Sequence, residues 1–132
     1  MTMKYSTALM QAQLDAISTA VGSAGKLAIY DGTRPEFAGA ATTKLAEWTF
    51  AGAFAPSASA ERPSVLSPSY PATDGYVAAG TATWYRVTTS GGTAIIDGDV
   101  SASAGDLQLN TVTIGSGVAV TITSWTITSA MG

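Results

Sequence analysis

The sequence contains no cysteine and no histidine. Disulfides, thiolate and imidazole metal sites, and catalysis by a cysteine or histidine are therefore excluded. Asp97, Asp99 and Asp106 lie close together in the chain, but they lack the further oxygen ligands of a calcium-binding loop. Two acids such as Glu47 and Asp97 remain the enzymatic alternative, although nothing in their spacing favours a glycosidase pair. We therefore predict a protein that is not an enzyme, with no catalytic residue, no cofactor and no metal.

Charge is also scarce, since only 11% of the residues are charged against about 25% in a typical globular protein. The net charge is −3, and the six lysines and arginines are scattered along the chain. This argues against binding to nucleic acid, which needs grouped basic residues, and against a cationic membrane-surface helix. No apolar run reaches the length of a membrane span, and residues 1–10 do not resemble a secretory signal. We expect synthesis in a cytosol and no membrane partner.

Small residues are abundant instead. The chain has 24 Ala, 19 Thr and 14 Ser, whereas Leu, Ile and Val together number 22. Small side chains bury little area each, so the stability contributed by the core should be low. A chain of this composition gains by burying further surface against copies of itself or against a scaffold.

A helix is predicted over residues 6–21. Met10, Leu14, Ile17 and Val21 recur at spacings of four, three and four, which places them on one helical face. Gly22 provides the stop.

After the helix the apolar period changes to two, which is typical of strands. Strands are predicted at 26–30, 45–50, 81–88, 93–97, 99–103, 106–110, 111–114 and 118–128. Ser90-Gly91-Gly92 forms the turn of the clearest hairpin, and Gly98 separates two further strands. Residues 51–75 have no periodicity and four prolines, which predicts a long irregular loop. Such a loop is either merely tolerated at the surface or an arm that contacts a partner.

The last predicted strand changes phase within itself. Val118, Val120 and Ile122 share one face, whereas Trp125 and Ile127 continue on odd positions. This shift predicts a bulge near Thr123-Ser124, or a strand that passes from one sheet to another. The complete pattern predicts a single domain, residues 1–132: a mainly β, antiparallel sandwich, jelly-roll-like or Ig-like, spanning 26–129 behind one N-terminal helix.

The tryptophans lie on three separate predicted strands. Trp48, Trp84 and Trp125 are expected in the core, where large side chains compensate for the many alanines. The less favoured alternative is a carbohydrate platform formed by Trp48, Tyr70 and Tyr76, whose partner would be a glycan.

Five segments follow one another along the chain: KYSTALMQAQLDAISTAVG (4–22), KLAIYDGTRP (26–35), LAEWTF (45–50), GTATWYRVTTSGGTAIIDGDV (80–100) and GDLQLNTVTIGSGVAVTITSWTIT (105–128). Their order resembles a group of small virion proteins of tailed bacteriophages and prophages. The resemblance implies a decoration or cement protein that sits on the shell of the major capsid protein. It also implies a homo-oligomer, synthesis in the cytoplasm of a host bacterium and a place on the virion surface. A tail, baseplate or head–tail joining component is the alternative within the same class.

Seven residues are the predicted contacts with a partner, chosen from the irregular loop and its surroundings: Arg34, Trp48, Pro56, Arg62, Pro68, Tyr70 and Tyr76.

Overall fold

The computed structural model describes residues 4–60, 64–69, 75–103, 106–118 and 120–128. These residues form one helix, α1 (Thr7–Val21), which precedes all of the strands. The strands are β1 (Lys26–Tyr30), β2 (Lys44–Thr49), β3 (Val65–Leu66), β4 (Gly80–Thr81), β5 (Trp84–Thr88), β6 (Ala94–Ser101), β7 (Leu107–Leu109), β8 (Thr113–Ile114), β9 (Ile122–Trp125) and β10 (Ile127–Thr128). The fold is mainly β with one helix, as the sequence predicts.

The strands form one curled sheet of six, in the order β2-β1-β5-β6-β7-β9, and two separate pairs, β3–β10 and β4–β8. All neighbours are antiparallel except β6 and β7, which are parallel. The expectation of a purely antiparallel architecture is therefore wrong. The predicted sandwich is not confirmed by this mixed sheet.

Helix α1 confirms the predicted segment and begins one residue later, because Ser6 caps it. The Ser6 hydroxyl accepts a hydrogen bond from the Leu9 amide at 3.1 Å, which satisfies one of the amides that have no partner within the helix. At the other end Gly22 has φ 75°, and its amide donates to the Ser18 carbonyl at 3.0 Å. This left-handed residue ends the helix.

The core lies between α1 and one face of the six-stranded sheet, here called the inner face. Strand alternation sends Leu27 and Ile29 of β1, and Tyr85 and Val87 of β5, to this face. The other face, the outer face, carries a smaller buried cluster of Ala28, Tyr30 and Trp84. Both faces of the central strands are thus covered, which explains why four of the five residues of β5 are buried.

An aromatic group forms the centre of the main core. Trp125 lies edge-on to Phe54 and Tyr85, with ring centroids at 5.4 and 5.6 Å, and Phe50 packs beside it at 6.2 Å. Edge-to-face packing at these distances contributes beyond simple burial. The core positions predicted for Trp48, Trp84 and Trp125 are all confirmed.

The last predicted strand divides in two. The pairing of β7 with β9 joins Gln108 to Ser124 and Leu109 to Ile122, so Thr123 is an extra residue in the ladder. After Thr126 the chain leaves the six-stranded sheet and pairs with β3 as β10. The predicted bulge and the predicted change of sheet therefore both occur, whereas the continuous strand over 118–128 does not.

The described part of the predicted loop 51–75 packs against its own chain. Phe54, Ala55 and Ala58 are buried. The Ala58 amide donates to Asp15 Oδ1 at 2.7 Å, and its carbonyl accepts from Gln11 Nε2 at 2.8 Å, which ties the segment to α1. Residues 65–66 form β3, so this stretch contains a strand that the prolines and serines concealed in the sequence.

Gly98 is not a turn, contrary to the prediction, because β6 runs without interruption through it. It lies opposite Tyr85 of β5, and a β-carbon at position 98 would come within 2.5 Å of the tyrosine ring. Aromatic cover of a strand glycine by its cross-strand neighbour stabilises such pairs. The glycine is therefore required by the space that Tyr85 occupies.

We expect Gly98→Ala to lower the free energy of unfolding by about 1 to 3 kcal/mol, because the added methyl group must displace a buried ring. Urea unfolding followed by tryptophan fluorescence measures the change. Gly91→Ala is the matched control: the nearest atom to its β-carbon is at 3.8 Å, so its effect should stay within about 0.5 kcal/mol. Equal effects of the two substitutions would contradict the assignment.

Candidate functional site

The outer face carries a buried ion pair between two adjacent strands. Arg86 of β5 lies directly opposite Asp97 of β6, and its Nε and Nη2 donate to Asp97 Oδ1 and Oδ2 at 2.7 and 3.0 Å. The two side chains are only 10% and 5% exposed. Two parallel hydrogen bonds of this kind are the strongest arrangement that arginine and a carboxylate form.

Aromatic rings complete the surroundings of Arg86. Its guanidinium carbon lies 5.1 Å from the centre of the Trp84 ring, within reach of a cation–π interaction, and Tyr30 stacks on the same tryptophan at 4.3 Å. The hydrogen bonds with Asp97 raise the pKa of Arg86 above its ordinary value, and this outweighs the lowering by burial. Arg86 is therefore a permanent charge at this position.

Residues 31–43, here called the Phe37 loop, join β1 to β2 and fold back over this ion pair. The Ala38 amide donates to Asp97 Oδ2 at 3.2 Å, and the Gly39 carbonyl accepts from Arg86 Nη2 at 3.0 Å. A turn closed by the Gly39 amide and the Glu36 carbonyl at 2.8 Å shapes the tip. The tip of the loop is thus bound to both members of the pair.

The base of the loop, like its tip, is held by hydrogen bonds to side chains. The indole nitrogen of Trp84 donates to the Asp31 carbonyl and to the Thr42 hydroxyl, each at 3.0 Å. The Thr42 hydroxyl in turn donates to the Asp31 carbonyl, and the Thr43 amide donates to Asp31 Oδ1 at 3.1 Å. Both ends of the loop are therefore fixed to one outer-face tryptophan.

Phe37 lies at the tip of this loop and is 61% exposed, the largest exposure among the large apolar side chains of the described residues. The next residue, Ala38, has φ 61°, a left-handed conformation that costs a residue with a β-carbon about 1 kcal/mol or more. The bond from its amide to Asp97 holds it there. The structure thus keeps a strained backbone in place, and the result is an aromatic ring directed away from the core.

The predicted contact residues fall into four groups. Arg34 belongs to the Phe37 loop, is exposed and forms an ion pair with Asp99 at 3.4 Å. Pro56 and Tyr76 are exposed elsewhere, and Tyr76 bridges to Ala46 beside the outer edge of β2.

The remaining predictions are not accessible or not described. Trp48 is 4% exposed and Pro68 is buried, so neither side chain can contact a partner in the folded chain. Arg62 and Tyr70 lie outside the described residues. One predicted contact, Arg34, therefore lies in the same loop as Phe37, an exposed residue that sequence reasoning missed.

The acids of the enzymatic alternative each have a partner of their own. Glu47 accepts a hydrogen bond from Lys44 at 2.6 Å, which raises the pKa of that lysine, and Asp97 is held by Arg86. Within the described ranges, no group of three acidic side chains is placed to hold a metal ion. No helix in that part of the chain is long and apolar enough to cross a membrane.

A second feature is a cavity of about 300 Å³ on the other side of β6, lined by Ile17, Tyr85, Ile96, Asp97, Asp106, Thr126, Ile127 and Thr128. Burial raises the pKa of Tyr85 to about 12, and the charge of Asp106 adds to this effect while Trp125 opposes it. The hydroxyl of Tyr85 is therefore neutral throughout the physiological range.

Comparison with known proteins finds no matching family model, no matching curated protein and no matching solved structure.

We expect Asp97→Asn to lower the free energy of unfolding by about 3 kcal/mol, because it leaves the buried Arg86 charge without its counter-ion. The Ala38 amide should also exchange its hydrogen faster, since its acceptor is weakened. Glu47→Gln is the matched control, as it breaks a more exposed ion pair of the same sheet and should cost under about 1 kcal/mol. A small effect of Asp97→Asn on stability together with unchanged exchange at Ala38 would refute the role of the pair.

Alkaline pH should destabilise the protein through Tyr85. Its pKa is about 12 in the folded state and near 10 when unfolded, so between these values the unfolded chain has lost a proton that the folded chain keeps. Stability then falls as pH rises from about 10 to about 12, by at most about 3 kcal/mol. Urea unfolding at about pH 9 and about pH 11.5 should show a smaller fall for Tyr85→Phe than for the wild type. Tyr76→Phe changes an exposed tyrosine, so the stability of this variant should fall as much as that of the wild type.

Proposed function

We propose that this protein is a non-enzymatic binding protein that inserts Phe37 into an apolar pocket of a partner protein. The observation that carries the proposal is the rigid presentation of this exposed ring by a loop bonded to Arg86, Asp97 and Trp84. Aromatic residues that fill a partner's pocket supply most of the affinity at many protein interfaces.

The construction of the loop favours binding in physical terms. A flexible loop loses conformational freedom when it binds, and that loss subtracts from affinity. Here the backbone on the C-terminal side of Phe37 is already fixed through Ala38 and Gly39, so little order remains to be imposed. Arg34 and Glu36 flank the ring, are exposed, and suit the polar rim that surrounds such an anchor.

Within this class we propose a decoration or cement protein of a tailed bacteriophage, located on the virion surface. Its partners would be the major capsid protein and further copies of this chain. The low charge and the small-residue composition support dense packing against a repeating protein surface. A jelly-roll-like or Ig-like sandwich remains part of this proposal, supported by the pair β3–β10, whose Leu66 contributes to the main core.

A tail, baseplate or head–tail joining component would use the same exposed ring. Copy number distinguishes these places, because a decoration protein is present in hundreds of copies per particle and a connector ring in few. Protein staining of purified virions measures it. The carbohydrate platform has less support, because Trp48 is buried and Tyr70 lies outside the described residues.

We expect Phe37→Ala to weaken binding to capsids that lack this protein by at least about 30-fold, the effect of losing an anchor worth about 2 kcal/mol. Stability should change little, because the ring is mostly exposed. Co-sedimentation of purified protein with capsids gives the affinity, and urea unfolding checks the fold. Leu9→Ala is the matched control, since Leu9 is also an exposed apolar residue, 46% accessible, but lies on α1.

The outcomes separate the two levels of the proposal. Wild-type affinity of Phe37→Ala for capsids would exclude Phe37 as the anchor. Failure of the wild-type protein itself to bind or stabilise capsids would exclude the capsid as the partner.

A further inference from the structure

The cavity beside β6 combines apolar walls with a charged rim. Ile17 of α1, Ile96 of β6 and Ile127 of β10 line it from three separate elements. The Tyr85 side chain, Asp106 and two threonines, Thr126 and Thr128, supply its polar groups. An apolar space with a few converging polar groups is the usual form of a small-molecule or side-chain site.

The charges around the cavity favour a cation. Asp97 is neutralised by Arg86, and Asp99 pairs with Arg34. Asp106 differs: no lysine or arginine of the described residues forms an ion pair with it. Its Oδ2 accepts a hydrogen bond from the Asp99 amide at 3.2 Å, which fixes the carboxylate in position.

The remaining polar groups of the cavity also suit a ligand that donates hydrogen bonds. The hydroxyls of Tyr85, Thr126 and Thr128 can all accept hydrogen bonds. Tyr85 and Asp106 line the same cavity, and the charge of Asp106 contributes to the raised pKa of Tyr85. An anion would be repelled by Asp106, and a purely apolar ligand would bring this carboxylate no counter-charge.

We propose that this cavity binds an alkylammonium group, with its carbon chain against Ile17, Ile96 and Ile127 and its charge beside Asp106. The four-carbon stem and terminal ammonium of a lysine side chain have this chemistry, and so does a free primary amine. The site lies on the inner face of the sheet and does not depend on Phe37 or on the capsid as a partner.

Methyl NMR tests the site on the full chain. Three probes of equal carbon length are titrated at neutral pH: n-butylammonium, 1-butanol and butyrate. We expect n-butylammonium to shift the methyl signals of Ile17, Ile96 and Ile127 and to bind more tightly than the other two. Ile29 and Ile114, which lie in the core but do not line the cavity, serve as internal references. Equal or tighter binding of 1-butanol, or shifts spread over all isoleucines, would overturn the proposal.

Asp106→Asn tests the charge while keeping an acceptor for the Asp99 amide. We expect it to weaken n-butylammonium binding about two- to fivefold, as for a partly exposed ion pair, and to leave 1-butanol binding unchanged. Glu36→Gln, which removes an equal charge from the Phe37 loop, should have no effect on either probe. The reference isoleucines show whether each variant is folded. An unchanged affinity of Asp106→Asn for n-butylammonium would refute the role of the carboxylate.

A fourth probe, Nα-acetyl-lysine N-methylamide, keeps the side-chain ammonium group free and distinguishes the two sources of the ligand. If it binds with the same Asp106 dependence, the cavity admits a lysine side chain from another protein. If n-butylammonium alone binds, the cavity takes a free amine, since the flanking peptide groups are then excluded.

Discussion

The ion pair between Arg86 and Asp97 is the interaction on which the outer face depends. A buried pair is stable only when its remaining hydrogen-bonding groups are also satisfied, because removal from water is costly for both charges. The strands supply the two charges, and the Phe37 loop supplies the rest through the Ala38 amide and the Gly39 carbonyl. The loop also shields the pair from solvent. Loop and pair therefore stabilise each other.

This arrangement explains how a chain with few large side chains can leave a phenylalanine exposed. Trp125, Phe54, Phe50 and Tyr85 account for most of the aromatic packing in the core, and the many alanines fill the remaining space. Placing Phe37 in the core as well would have buried further apolar area without burying any charged group. The left-handed Ala38 instead directs the chain so that the ring faces solvent. Strained backbone that the surrounding structure holds in place is found mostly at binding and catalytic sites.

Sequence patterns predicted the elements that are set by residues close together in the chain. They missed the elements that are set by contacts between distant residues. The helix, β1 and the bulge at Thr123 follow from periodicity within a few residues, and they were predicted. The continuous strand β6 was not predicted, because a glycine between two aspartates favours a turn. Only the Tyr85 ring on the neighbouring strand β5 shows why Gly98 lies within a strand. The Phe37 loop has no periodicity, and the hydrogen bond that ties its tip to β6 joins residues 59 positions apart. A signal for the ion pair did exist: a hairpin closed at residues 90–92 brings Arg86 close to Asp97, and with that register the charged pair could have been predicted.

Strand β6 connects the two candidate sites through the alternation of its side chains. Ile96 lines the cavity on the inner face, Asp97 binds the Phe37 loop on the outer face, Gly98 makes room for Tyr85, and Asp99 binds Arg34. A shift of one residue in the pairing of β6 with β5 would exchange these faces, burying two carboxylates in the apolar core and exposing Ile96. The segment Ile96-Asp97-Gly98-Asp99 therefore specifies the register of the sheet and both sites at once. A different contact accounts for each of these four residues, which is why the pattern of the strand departs from simple apolar alternation.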